Sequence, residues 1–192
     1  DEVAGVPAVA AGEASRLVLR DGVQFRNRDA ADDRGAYLQI ADRPLLTGHD
    51  NGKSGLESLN LAVRFRPETI RHAVLLRKTD PGTDFGYQVF LSKEGKVALR
   101  IRNRDGETVN VVSKNLVRLR EWNTVEATVD SARTLYNLQI RLNGVVTRAS
   151  GTFTRLDDTS GPLTIGGLER GPGKSGQYFD GAIASAAVSD VT

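Results

Sequence analysis

Residues 122–130, WNTVEATVD, hold the pattern that decides the fold of this 192-residue chain. From Val125 to Val129 every second residue is apolar, and the residues between them are polar. Successive side chains of a β-strand point to opposite faces, so this alternation predicts a strand with one buried and one exposed face. Residues 138–142, LQIRL, repeat the alternation, and Asn143-Gly144 directly behind them is typical of a turn.

The same alternation recurs along the chain in short runs. These runs occupy residues 59–65, 87–91, 97–101, 125–129 and 138–142, with shorter apolar pieces at 74–76, 163–165 and around 183. Between them, residues 93–96 and Asp105-Gly106 predict hairpin connections. Helical periodicity nowhere extends beyond two turns. The sequence therefore predicts an all-β fold, a two-sheet antiparallel sandwich or jelly roll.

The length of the chain suits one sandwich domain. Residues 1–14, small and apolar after an acidic start, are expected to be a tail or an interdomain linker, and residues 15–192 a single domain. Such a segment resembles the sequence behind a cleaved export signal, so we expect a secreted, periplasmic or cell-surface protein. The residues expected to face the core between the sheets are Leu61, Val63, Phe65, Val89, Leu99, Ile101, Val125, Val129, Ile140, Leu142 and Ile165.

Composition excludes several classes of site and partner. The chain has no cysteine, which rules out disulfides, thiolate metal sites and cysteine nucleophiles. Its 26 basic and 24 acidic residues nearly cancel, so charge gives no reason to expect a nucleic-acid partner. No apolar run approaches the ~18 residues of a membrane span. Of the basic residues 20 are arginine, whose planar fork matches carboxylate, sulfate or phosphate.

The order of the motifs resembles the laminin-G-like, concanavalin A-like jelly-roll superfamily over roughly residues 35–190. The motifs that carry the resemblance are SLNLAVRFRP at 58–67, LLRK at 75–78, the pair of runs within 87–101, WNTVEATVD at 122–130, LQIRLNGV at 138–145, PLTIGG at 162–167 and FDGAIASAAV at 179–188. The resemblance implies a two-sheet jelly roll that binds glycans or proteins. These motifs encode packing and turns, so they say little about the ligand.

The same resemblance implies a structural calcium ion, because many relatives hold one through loop carboxylates and backbone carbonyls. The candidate ligands are Asp29, Asp32, Asp33 and Asp180. Flexible oxygen-rich clusters suit calcium, although aspartate-rich loops also serve simply as turns. The acidic residue that the family places after the isoleucine of its last motif is replaced by Ser185, so no role of that residue transfers.

Catalytic patterns of related enzymes are missing. The glucanases of this superfamily carry E-x-D-x-x-E along one strand, whereas Glu121 and Glu126 are five residues apart and point to opposite faces. The alginate lyases carry glutamine-x-histidine, and here Arg141 stands where the histidine would be. His49 and His72 fall in surface turns. The sequence favours a non-catalytic role, with a polysaccharide lyase or glycoside hydrolase as the less favoured alternative.

The outward side of four strands is rich in arginine and amide groups. If these strands share a sheet, they form a face around an aromatic ring that would bind uronate or sulfate groups of an acidic polysaccharide. The alternatives are that each arginine is paired on a convex surface and that Phe90 packs under a loop. Trp122 is expected to be structural. The predicted ligand-binding residues are Arg64, Arg66, Gln88, Phe90, Arg100, Arg102, Gln139 and Arg141.

The sequence thus predicts a carbohydrate-binding, lectin-like module of an exported protein, whose partner is a glycan. A protein-interaction or adhesion domain is the alternative, since laminin-G-like modules often have that role.

Overall fold

The computed structural model of the protein describes residues 9–12, 17–19, 22–28, 35–42, 46, 58–79, 86–132, 134–153, 159–168 and 176–190. These residues form fourteen β-strands and contain no α-helix. The first seven strands are β1 (Val9–Gly12), β2 (Leu17–Leu19), β3 (Val23–Phe25), β4 (Ala36–Ile40), β5 (Leu59–Pro67), β6 (Ala73–Thr79) and β7 (Gly86–Leu91). The others are β8 (Val97–Arg102), β9 (Thr108–Val112), β10 (Asn123–Ala132), β11 (Leu135–Leu142), β12 (Val145–Thr152), β13 (Leu163–Ile165) and β14 (Gly181–Asp190).

The strands form two seven-stranded sheets. Sheet A has the order β1-β4-β13-β6-β7-β8-β9, and sheet B has the order β12-β11-β10-β5-β14-β3-β2. Every pairing is antiparallel. The predicted all-β, two-sheet antiparallel jelly roll is confirmed.

The core lies between the sheets where the sequence predicted it. All eleven predicted core residues are at most 6% exposed. Val125 of β10 pairs with Val63 of β5 and with Leu142 of β11, so the apolar positions of three strands line up on one face of sheet B. The alternating pattern therefore gave both the strands and their buried side.

The predicted hairpin turns are also present. Ser92 N–H donates to the Lys96 carbonyl between β7 and β8, and Asn103 N–H donates to the Glu107 carbonyl between β8 and β9. In the β11–β12 turn, Asn143 and Gly144 both have positive φ, 49° and 87°. Asparagine and glycine adopt this conformation more readily than other residues, so these two residues fix the hairpin.

One end of the sandwich is held by a buried lysine. Lys78 is fully buried, and its ammonium group lies 2.7 Å from Asp42 Oδ1. It also donates to the carbonyl and hydroxyl of Thr159 and to the Gly161 carbonyl. The segment before β13 is therefore tied to β6. Next to it on β7, Tyr87 donates its hydroxyl to the Leu46 carbonyl at 2.7 Å.

The N-terminal region departs from the expectation. Residues 9–12, assigned to a tail by their composition, form β1 and pair with β4 at the edge of sheet A. Small residues without polar alternation carry no strand signal, so only the pairing with β4 reveals this strand. Among the described residues no helix is long and apolar enough to cross a bilayer.

Candidate functional site

The structure divides the predicted ligand-binding residues between the two sheets. Gln88, Phe90, Arg100 and Arg102 lie on β7 and β8 of sheet A. The other four lie on β5 and β11 of sheet B, and they are Arg64, Arg66, Gln139 and Arg141. Outward side chains of opposite sheets point away from each other, so the expectation that all of them share one groove is wrong.

A row of polar side chains crosses the outer face of sheet A. The register places Gln88 opposite Arg77 on one side and Arg100 on the other, and the row continues through Thr164 to Gln39 and through Arg100 to Asn110. Directly opposed side chains on neighbouring antiparallel strands lie ~4.5–5.5 Å apart at Cβ. Six strands thus contribute one hydrogen-bonding side chain each.

This row runs into a recess of about 400 Å³. Its described lining consists of His72, Arg77, Gln88, Arg100, Arg102, Thr108 and Gln177. Three arginines and two amides are among these residues, so the described lining is rich in cationic hydrogen-bond donors. Such a site favours anionic groups, and guanidinium forks bind carboxylate or sulfate with two parallel hydrogen bonds.

Phe90 supports the recess from below. Its ring is 7% exposed, with the His72 ring at 5.2 Å and the Arg100 guanidinium 5.0 Å from its centroid. The aromatic is therefore covered, as the packing alternative expected, although a histidine and an arginine cover it. Phe90 is a positioning residue for Arg100, and a cation–π contact of this kind contributes about 0.5–1 kcal/mol.

Hydrogen bonds fix the arginines on this face. Arg77 is 4% exposed and donates from Nε to Thr79 Oγ1 at 2.9 Å. Arg100 donates from Nε to Asn110 Oδ1 at 2.8 Å and contacts no carboxylate within the described part of the chain. The Arg100 fork is thus oriented by Asn110 and Phe90 and keeps its terminal nitrogens for a ligand.

The sheet B arginines are differently engaged. Arg141 lies 3.6 Å from Glu126, and Arg66 lies 3.6 Å from Glu68. Arg64 and Arg66 also place their guanidinium groups 5.1 and 5.3 Å from the centroid of Trp122. Trp122, expected to be structural, thus contacts two arginines, and the paired-arginine alternative applies to Arg66 and Arg141.

The metal prediction rests on one described residue. Asp180 is 5% exposed, and its Oδ2 accepts no hydrogen bond although Arg28 Nε lies 3.7 Å away. An unsatisfied buried carboxylate oxygen suits a cation. Asp29, Asp32 and Asp33 lie outside the described residues, as does His49. The described residues contain no group of three or more metal-ligating side chains, and the calcium site stays a prediction.

Sequence reasoning missed Arg77 and undervalued His72. Arg77 follows a continuous apolar run, and a bulge between Val74 and Leu76 shifts the register there. Assigning alternate residues of a strand to its two faces fails where a β-bulge inserts an extra residue, and the sequence pattern does not reveal the bulge. Two adjacent basic residues, Arg77 and Lys78, at the end of an apolar run indicate that one of them faces outward. Which of the two does so depends on the bulge.

Comparison with known proteins agrees with this architecture. A laminin G family model of the concanavalin A-like lectin/glucanases superfamily matches residues 32–192. The chain belongs to this superfamily. No curated protein sequence matches the chain at a significant level.

Several solved structures share the fold of this lectin/glucanase domain. The CBM40 of the Ruminococcus gnavus IT-sialidase bound to alpha2,3 sialyllactose is 22% identical, with a TM-score of 0.55 over 72% of this chain and 79% of that one. The binding domain of botulinum neurotoxin DC in complex with SialylT is 10% identical, with a TM-score of 0.63 over 99% and 45%. The LG1-3 region of the laminin alpha2 chain is 14% identical, with a TM-score of 0.60 over 86% and 30%.

Proposed function

We propose that this domain is a non-catalytic carbohydrate-binding module that recognises acidic sugars through the recess on the outer face of sheet A. The main support for this proposal is that one concave site is lined by Arg77, Arg100 and Arg102. The amides of Gln88 and Gln177 line the same site. Its volume of about 400 Å³ is within the range of small-ligand sites.

The roles of the side chains follow from their chemistry. The Arg100 fork, held over Phe90, binds the carboxylate of a uronate or sialic acid or a sulfate ester. Gln88 and Gln177 bind sugar hydroxyls, because an amide both donates and accepts hydrogen bonds. Structural neighbours solved with alpha2,3 sialyllactose and with SialylT support carbohydrate binding.

A non-catalytic role is supported by the state of the carboxylates. Glu126 lies 3.6 Å from Arg141 on the outer face of sheet B, and Glu121 lies 3.7 Å from Arg118. Neither borders the sheet A recess, whose described lining contains no carboxylic acid. The usual two-carboxylate mechanism of hydrolysis therefore finds no acid–base pair among the described residues of this recess. A glycan-binding module of this kind also fits export to the cell surface or periplasm.

A protein-interaction role has one observation in its favour. Ile70 and Leu116 are 36% and 57% exposed, and both lie within 4 Å of the position that a Cβ on Gly95 would occupy. Apolar patches that mark interfaces usually cover several hundred Å². Ile70 and Leu116 are two side chains, whereas the recess gathers seven polar and charged ones, so the recess carries the proposal.

Titration calorimetry with sialyllactose, alginate oligosaccharides and heparin oligosaccharides tests the proposal. We expect at least one of these probes to bind, and Arg100→Ala and Arg102→Ala to weaken that binding about tenfold each, since charge-assisted bonds contribute about 1.5–3 kcal/mol when sheltered. Arg141→Ala on the opposite sheet is the matched control and should change affinity by less than about twofold. Affinity should fall between low and physiological salt (~0.15 M). The proposal is refuted if none of the three probes binds, or if both recess variants bind as tightly as the unmodified protein.

A further inference from the structure

Sheet B has a recess of its own on its outer face, between β10, β11 and β12. The recess has a volume of about 490 Å³. The register places Gln139 between Thr128 and Arg148, and Asn137 between Asp130 and Ser150. The recess is therefore lined by two rows of three polar side chains, and the rows are separated by two residues along each strand.

Most of these side chains keep their hydrogen-bonding capacity. Among the described residues, the side chains of Asn137, Gln139, Arg148 and Ser150 make no hydrogen bond or ion pair with the protein. The two on β10 are held from outside the recess. Thr128 donates to Asn60 Oδ1 at 3.0 Å, and Asp130 Oδ1 accepts from Ser58 Oγ at 3.3 Å.

The chemistry of this recess differs from that of the sheet A recess. Its described lining has one guanidinium, one carboxylate, two amides and two hydroxyls, so its formal charges cancel. An anionic ligand would meet Asp130, and a cationic one would meet Arg148. Amides and hydroxyls both donate and accept, Arg148 only donates, and Asp130 only accepts. A neutral ligand with several hydroxyl groups satisfies all of them.

The support beneath the recess is rigid. Leu138 and Val129, the inward neighbours on β11 and β10, are at most 1% exposed in the core. Strands anchored in this way fix the backbone from which the outward side chains project, so no backbone ordering has to accompany binding.

We propose that the recess between β10, β11 and β12 is a second glycan-binding site, specific for neutral sugar residues. It is independent of the acidic-sugar site, because it lies on the opposite sheet and shares no residue with it. Gln139 and Arg148 are central, since they face each other across β11 and β12 in the middle of the lining.

A printed array of glucose-, mannose-, galactose- and N-acetylglucosamine-based oligosaccharides, followed by calorimetry on the best binder, tests the second site. We expect Gln139→Ala combined with Arg148→Ala to weaken binding about tenfold or more, as the loss of two to three hydrogen bonds implies. Arg141→Ala is the matched control, because it is the next outward residue on β11, is paired with Glu126 and lies outside the recess. It should bind like the unmodified protein.

Arg100→Ala separates the two proposals. This variant should bind neutral oligosaccharides like the unmodified protein, even if it no longer binds acidic sugars. If the unmodified protein binds none of the acidic probes, only the proposed site on sheet A is refuted. Three outcomes overturn the second site: no neutral oligosaccharide binds, the sheet B double variant binds normally, or Arg100→Ala removes neutral binding. Circular dichroism melts of the variants should superimpose, since Arg148 is exposed and Gln139 is half-buried on the surface.

Discussion

Replacing Lys78 with methionine tests how the end of the sandwich is held. Methionine keeps the length and the apolar stem of the lysine but has no ammonium group. The change removes the contact with Asp42 at 2.7 Å and the donor to both oxygens of Thr159, a residue that is 2% exposed. Since Asp42 has 39% side-chain exposure, its carboxylate can return to water, whereas the Thr159 oxygens cannot.

The expected magnitude follows from those buried oxygens. Each one left without a donor costs about 1–3 kcal/mol. Relief from burying a charged amine offsets part of this cost. We therefore expect Lys78→Met to lower the free energy of unfolding by about 3 kcal/mol. For a domain of this size each kcal/mol corresponds to about 2–4 °C, so the melting temperature should fall by about 6–12 °C.

Urea denaturation followed by far-ultraviolet circular dichroism measures the change. Lys93→Met is the matched control, because Lys93 lies exposed in the β7–β8 turn. It should unfold within about 0.5 kcal/mol of the unmodified protein. If Lys78→Met is also within about 1 kcal/mol, the buried ammonium group does not hold the 159–161 segment and the reasoning fails.

Three further predictions concern pH, metal and backbone. Burial and, less strongly, the Asp42 carboxylate raise the pKa of the Tyr87 phenol, so the stability that the neutral phenol contributes is present below about pH 10 and is lost as the pH rises beyond it. The urea midpoints of Tyr87→Phe and of the unmodified protein should therefore converge as the pH rises from mildly to strongly alkaline. A constant difference between the two midpoints over this range would contradict the prediction. If calcium binds through Asp180 and the predicted loop carboxylates, it should raise the melting temperature, EDTA should reverse the rise and Asp180→Asn should abolish it. Equal melting temperatures with calcium and with EDTA would exclude the site. Gly181→Ala should destabilise the fold by more than about 1 kcal/mol, because Gly181 has a φ of 144° and a Cβ would lie 2.2 Å from the Arg66 carbonyl oxygen; unchanged denaturation would show that β14 relaxes freely.

Local patterns predicted the local parts of the structure. The alternation around Val125 and Val63 indicated both strands and their buried sides, because burial of one face imposes a period of two on the sequence. Asn143-Gly144 indicated its turn, because few other residue pairs adopt two positive φ angles in succession. In each case the pattern that carries the prediction lies within a few residues along the chain.

The assembly of strands into sheets could not be predicted in this way. Arg66 and Arg100 have the same outward parity, but β5 pairs with β10 and β14 whereas β8 pairs with β7 and β9. The β5 pairings join segments far apart in sequence, and alternation within one strand does not encode which distant strand it pairs with. Half of the predicted set therefore lies on the other sheet, while Gln88 and Arg100 are neighbours because β7 and β8 form one hairpin.

The outer faces of sheets A and B point in opposite directions, because the sheets stack back to back about 10 Å apart. A short saccharide held on one face cannot bend around the edge to reach the other. Occupation of both faces would therefore join two separate polysaccharide chains through one domain, with no gain in affinity from chelation. At matched concentrations of domain and polymer this arrangement builds a network, and excess domain disperses it by covering each chain separately. The domain would then cross-link an acidic polysaccharide to a neutral one.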